Sequence, residues 1–295
     1  MQSLARTFAF VAAVLAAMLC GAPCSHAQGT GEPLVPEVVR VALPDNTTMA
    51  TEVFRPPGAG PFPVLVFSHG RAGSDAERRA LVRPVLHGHA RYWMRRGYAV
   101  VAPIRPGYGV TGGPDREYSG ARYNEWGECM SRPEPRRTAG PAAEAIASAV
   151  AWVREQPWAR ADRILLSGQS VGGLATIAAC SANLPGVIGC INFSGGSGGS
   201  PTSKGRMCEP QRIESLMSEW GRTNRLPSLW LYAPNDLFWG PEAPQRWHAA
   251  FAAGGSPARF VGTEPVPAPD GHSLLAVGGR LWSVPLQAWL GEHGF

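Results

Sequence analysis

Gly168-Gln169-Ser170-Val171-Gly172-Gly173 follows the apolar run Ile164-Leu165-Leu166 and precedes the small-residue run Leu174-Ala175-Thr176-Ile177-Ala178-Ala179. The first run reads as a buried strand and the second as a helix, so the six residues between them make a sharp turn. A serine with glycines two before and two after it, in that context, is the pattern of a nucleophile elbow. The spacing has a steric cause. Ser170 must sit in a strained turn that lifts its hydroxyl off the sheet, and side chains at 168 and 172 would collide with the adjoining strand and helix. The helix N-terminus then aims backbone N–H groups, that of Val171 among them, at the point where an oxyanion would form. A chance glycine-rich turn would explain the pentapeptide but not both of its flanks.

A nucleophilic serine requires a base and an acid, and on this template they follow it in the order Ser, Asp or Glu, His. Pro227-Ser228-Leu229-Trp230-Leu231-Tyr232 reads as a buried strand ending in Ala233-Pro234-Asn235-Asp236. That puts a carboxylate just past the C-terminal end of a strand, where open α/β sheets carry their sites. After a further strand, Ala258 to Val261, a proline-rich loop leads to Asp270-Gly271-His272-Ser273. His272 is the candidate general base, and Asp236 the acid that orients it. Asp270 competes for the acid's role, but template order favours Asp236. The second oxyanion donor is sought after an early strand, Val64 to Phe67, which runs into Ser68-His69-Gly70-Arg71. There the Arg71 N–H is the candidate, and His69 is read as a brace for the turn.

These pieces resemble the α/β-hydrolase superfamily and, within it, the dienelactone-hydrolase-like esterases: Ser68-His69-Gly70, Gly168 to Gly173, Asn235-Asp236 and Gly271-His272. The resemblance runs from about residue 36 to the C-terminus. It implies a mostly parallel central sheet flanked by helices on both faces, and a serine hydrolase that cleaves carboxylic esters through an acyl-enzyme. Dienelactone hydrolases proper use cysteine where this chain has Ser170, so general ester hydrolysis is what the resemblance implies. A serine peptidase on the same fold and a non-catalytic binding protein on this scaffold are the competing readings.

Composition fits one α/β enzyme domain. Arg6 followed by the apolar run Phe8 to Leu19, and then Ser25-His26-Ala27, reads as a signal peptide cleaved after Ala27, giving a secreted or periplasmic protein of residues 28–295. No later segment is long and apolar enough to span a bilayer. The net charge of +5 is spread out, and the Arg91–Arg96 cluster suits a solvated helix face, so no nucleic-acid partner is expected. His87 and His89 are two apart and cannot chelate as an i, i+4 pair would, and the glycine run at 195–199 lacks phosphate-loop spacing, so no metal or cofactor is expected.

Strands and helices alternate along the chain. A hairpin is expected at Val38–Leu43 and Thr51–Phe54, with Asn46-Thr47-Thr48 read as a polar turn although it matches a glycosylation sequon. Helices are expected at His87–Arg96, at Pro141–Glu155 with Pro141 at the start, and near Leu281–Leu290. Two excursions, residues 106–138 and 194–225, follow strand ends on the rim that carries Ser170. The second should hold a short helix from Arg212 to Trp220. Tyr108, Tyr118, Tyr123 and Trp126 in the first either line a pocket or form the loop's own core. After cleavage four cysteines would remain. The expected pairs are Cys180–Cys190, across a short helix-to-strand connection, and Cys129–Cys208, fastening the two excursions together.

Overall fold

The elbow strand is the longest of an eight-stranded sheet. The computed structural model describes residues 34–203 and 207–295. The expected signal peptide, with Cys20 and Cys24, lies outside the described residues. Val35–Phe295 forms one compact unit. Its strands are β1 (Glu37–Ala42), β2 (Thr48–Phe54), β3 (Phe62–Ser68), β4 (Ala99–Pro103), β5 (Ala159–Gln169), β6 (Val187–Phe193), β7 (Ser228–Tyr232) and β8 (Ala258–Gly262), in the spatial order 1-2-4-3-5-6-7-8. The β1–β2 and β2–β4 pairs are antiparallel; every other pair is parallel. The α/β-hydrolase architecture expected from the sequence is the one observed.

The central strands are apolar on both sides because helices cover both faces. Val64 and Val66 of β3, with Ile164 and Leu166 of β5, pack into one core with α3 (Pro135–Arg154) and α4 (Val171–Ser181). The alternate residues point the other way. Phe67 meets His89 of α2 (His87–Met94), the helix after the short α1 (Asp75–Arg79), and Phe193 of β6 meets Trp282 of α8 (Gly279–His293). At the far end of the sheet, Trp230 and Tyr232 of β7 join a third cluster with α5 (Pro210–Thr223) and α6 (Glu242–Ala253). The Cys180–Cys190 disulfide ties the end of α4 to β6, with both cysteines fully buried.

Several boundaries differ from the sequence expectation. The second hairpin strand begins at Thr48, because Asp45 accepts from Thr47 N and Asn46 takes φ 63°, closing the turn early. Helix α3 begins at Pro135, with Glu134 capping it, and Pro141 lies inside the helix instead of opening it. The cost is one missing N–H, on a stretch where Arg136, Arg137 and Gly140 are exposed and water can serve the freed carbonyl. Helix α5 exceeds the expected 212–220 at both ends, with Pro210 in its first turn. No described helix is long and apolar enough to cross a membrane.

Candidate active site

Ser170 joins β5 to α4 with φ 57° and ψ −123°, a conformation that side chains rarely adopt. The surrounding glycines make it possible. A Cβ on Gly168 would lie 2.2 Å from Gly172 O, and one on Gly172 would lie 2.0 Å from Ser68 O. The elbow helix therefore packs directly onto the end of β3. A Cβ on Gly70 would likewise come 3.3 Å from Ser170 Cβ, so the 69–71 turn lies against the elbow.

His272 lies on the loop after β8, in the short turn Gly271–Ser273. Its Nδ1 lies 2.9 Å from Asp236 Oδ2, and the carboxylate is fully buried. Asp236 Oδ1 accepts from Phe238 N (2.8 Å) and Trp239 N (3.3 Å), which fixes the carboxylate on its own turn. The imidazole stacks on Phe238 at 4.2 Å between ring centroids and meets Trp239 edge-on. Gln169, the residue before Ser170, donates to His272 O at 3.2 Å. Asp270 does different work: its Oδ1 accepts from His272 N and Leu237 N and so clips the histidine loop to the Asp236 turn. Asn235 holds the proline-rich loop, donating to Val266 O and Ala268 O and accepting from Val266 N. Gly271 allows the approach, since a Cβ there would lie 2.6 Å from Asn235 Oδ1.

Sequence reading missed the group beneath the 69–71 turn. Arg105, two residues past the end of β4, is fully buried. Its guanidinium donates to Glu117 (2.6 and 2.9 Å), Ser68 Oγ (3.0 Å), His69 O (2.6 Å) and Gly70 O (3.4 Å). Tyr108 donates to the same Glu117 at 2.8 Å. Burial works against the Arg105 charge, but Glu117 outweighs it and holds the guanidinium's pKa above its ordinary value. The one available signal was an arginine directly after an apolar strand. His69 is buried and donates from Nδ1 to Gly70 O (2.7 Å), while Nε2 accepts from Arg105 N (3.3 Å). Burial, and then the Arg105 charge, push its pKa well below the ordinary imidazole value, so it stands neutral as a brace. The Arg71 side chain makes a two-bond pair with Asp115 (3.0 and 2.7 Å). Burial alone would raise the Asp115 carboxyl, but Arg71 holds it below the usual carboxylate range.

Ser170 and Val171 open onto a cleft of about 270 Å³ lined by Arg71, Tyr118, Tyr123, Phe238 and Trp239. The two excursions form its walls. Tyr123 donates to Gly198 O (2.5 Å) and accepts from Cys208 N (2.8 Å), and the Cys129–Cys208 disulfide joins the same loops. The aromatics divide: Tyr118 and Tyr123 line the cleft, Tyr108 is buried loop core, and Trp126 is exposed. The glycine run at 195–199 makes room for Trp239, since a Cβ on Gly199 would lie 2.4 Å from its ring. Among the described residues, no group of three or more His, Cys, Asp or Glu is placed to hold a metal.

The sequence profile of the X-Pro dipeptidyl-peptidase (S15) family matches residues 45–217, a span that includes Ser170 and stops before Asp236 and His272. No curated protein matches the chain. Solved structures of similar fold include an esterase of Pyrococcus furiosus (TM-score 0.60, 14% identity, covering 89% of this chain and 92% of that one). A Klebsiella pneumoniae protein assigned as a dienelactone hydrolase gives TM-score 0.57 at 17% identity, covering 88% and 99%. The acylaminoacyl peptidase of Pyrococcus horikoshii gives 0.61 at 16% identity over 88% of this chain, which spans only 41% of that one. At these identities the likeness is one of fold.

Proposed function

The chain belongs to the X-Pro dipeptidyl-peptidase (S15) family and is a hydrolase of the α/β-hydrolase superfamily, and from that premise we propose an exported serine esterase working through Ser170, His272 and Asp236. With Nδ1 hydrogen-bonded to Asp236, His272 keeps Nε2 as the basic nitrogen. Ser170 Oγ attacks the acyl carbon and its proton passes to that nitrogen. The oxyanion is held by the N–H groups of Val171 and Arg71. His272 then returns the proton to the leaving alkoxide, the acyl-enzyme remains, and water activated by the same histidine releases the acid. Export is supported by the Arg6–Ala27 sequence and by two disulfides, which suit an oxidising compartment.

One observation favours an ester over a dipeptidyl substrate. Such a peptide carries an ammonium at its N-terminus, which calls for a carboxylate in the site. Among the described residues no Asp or Glu lines the cleft, and its one charged residue is an arginine already paired with Asp115. The family's name and the acylaminoacyl peptidase neighbour favour the second reading, a peptidase. Side-by-side assays of p-nitrophenyl acyl esters and X-Pro p-nitroanilides separate the two. The proposal expects ester turnover that disappears in Ser170→Ala. Anilide turnover at a higher kcat/KM than any ester would overturn it.

A further inference from the structure

A second cavity, of about 320 Å³, lies against the Gly70–Ala72 turn. Of the residues that border it, only Arg71 and Ala72 also border the aromatic cleft, so the two spaces flank that turn. Phe67, Leu81, Pro84, Leu86, Leu275 and Ala276 give it an apolar lining. Its charged neighbours are Arg71, committed to Asp115, and the exposed Arg83. Gln169 closes it beside Ser170, and Ser273 closes it beside His272.

We propose that this cavity takes the alcohol half of the ester and selects for apolar leaving groups. The inference rests on the serine-esterase reading given above. During the reaction the acyl carbon is bonded to Ser170, which lines the aromatic cleft and not the second cavity, so the acyl half occupies the cleft. The leaving oxygen must receive its proton from His272 and so departs between the oxyanion turn and the histidine loop. Those are the two segments that bound the second cavity: Gly70–Ala72 on one side, and on the other Ser273 with Leu275 and Ala276, the last two on the short helix α7 (Leu274–Val277). An apolar alcohol placed there leaves water as its chain is buried, and each methylene accepted raises kcat/KM about fourfold.

The test uses two ester series on the mature protein: acetates of lengthening n-alkyl alcohols, and methyl esters of lengthening acids. Wild type should favour butyl over methyl acetate by at least tenfold. Ala276→Trp, at an exposed position, should reduce that ratio to below threefold while leaving the ranking of the methyl esters unchanged. Leu86→Glu, also exposed, should reduce the ratio in the same direction by placing a charge against the apolar lining. Fluorophosphonate labelling of each variant checks that Ser170 remains reactive. Wild-type indifference to alcohol length, or a variant that shifts acyl ranking instead, would overturn the second cavity and leave the esterase standing. Absence of Ser170-dependent hydrolysis across both series would overturn both.

Discussion

Replacing Arg105 with methionine tests whether the buried guanidinium beneath the 69–71 turn matters for chemistry as well as for stability. The side chain makes five hydrogen bonds with no exposure to water, two of them to Glu117 and two to the carbonyls of His69 and Gly70. Arg105→Met leaves Glu117 buried with the Tyr108 hydroxyl (2.8 Å) as its side-chain donor. Removing one partner of a buried pair costs about 3–5 kcal/mol, against a total stability of about 5–15 kcal/mol. The catalytic effect is separate. With two carbonyls released, the turn that presents the Arg71 N–H loses its anchor, and kcat should fall toward the 10²–10³-fold, on the order of what loss of an oxyanion donor costs. KM should move less than kcat, because Arg105 itself does not line the cleft and only its Arg71–Ala72 edge is affected. The double variant Arg105→Met/Glu117→Gln removes the stranded charge and should recover much of the stability without recovering kcat. Urea denaturation and steady-state ester hydrolysis on the three proteins read the two effects independently. Wild-type kcat in folded Arg105→Met would refute the reasoning, and so would kcat that returns with stability in the double variant.

Three further outcomes are expected. Asp236→Asn should lower kcat by several orders of magnitude, because Nδ1 of His272 loses its acceptor, whereas Asp270→Asn should cost less, since its contacts are to backbone N–H groups; comparing kcat of the two decides which carboxylate is the acid. Glu52 is buried, and burial raises its carboxyl from 4.5 to about 7, with Arg83 opposing. Between those values the folded state holds a proton that the unfolded chain has lost, so stability falls as pH rises through that window. Glu52→Gln should therefore raise Tm over wild type at pH 8 and not at pH 4, and equal gains at both would count against the buried carboxylate. Cys129→Ser/Cys208→Ser opens a closure spanning 79 positions, worth up to about 4.5 kcal/mol on the chain-entropy model. Because the bridge joins the cleft walls, KM should rise at temperatures well below the new Tm.

The elbow, the order of Ser170, Asp236 and His272, and the strand-to-helix alternation were legible because each is a local pattern: a glycine spacing, an apolar run with a carboxylate past its end, a Gly-His pair in a loop. The cysteine pairs were legible from chain proximity and from the two excursions sharing a rim. What could not be read depends on contacts between segments far apart in sequence. No spacing rule connects Arg105 with Glu117, or Trp239 with the glycines at 195–199 that receive its ring. Helix α3 defeated the reading differently. Pro135 and Pro141 are both acceptable first-turn residues, and the choice fell to Glu134, whose side chain accepts from Arg136 N.

Whether Ser170 is a nucleophile driven by His272 is read from intact-mass analysis after exposure to a fluorophosphonate. One adduct per chain is expected, carried by the peptide that contains Ser170, absent in Ser170→Ala and formed at least a hundredfold more slowly in His272→Ala. An unmodified folded protein, or an adduct at another residue, would contradict that role.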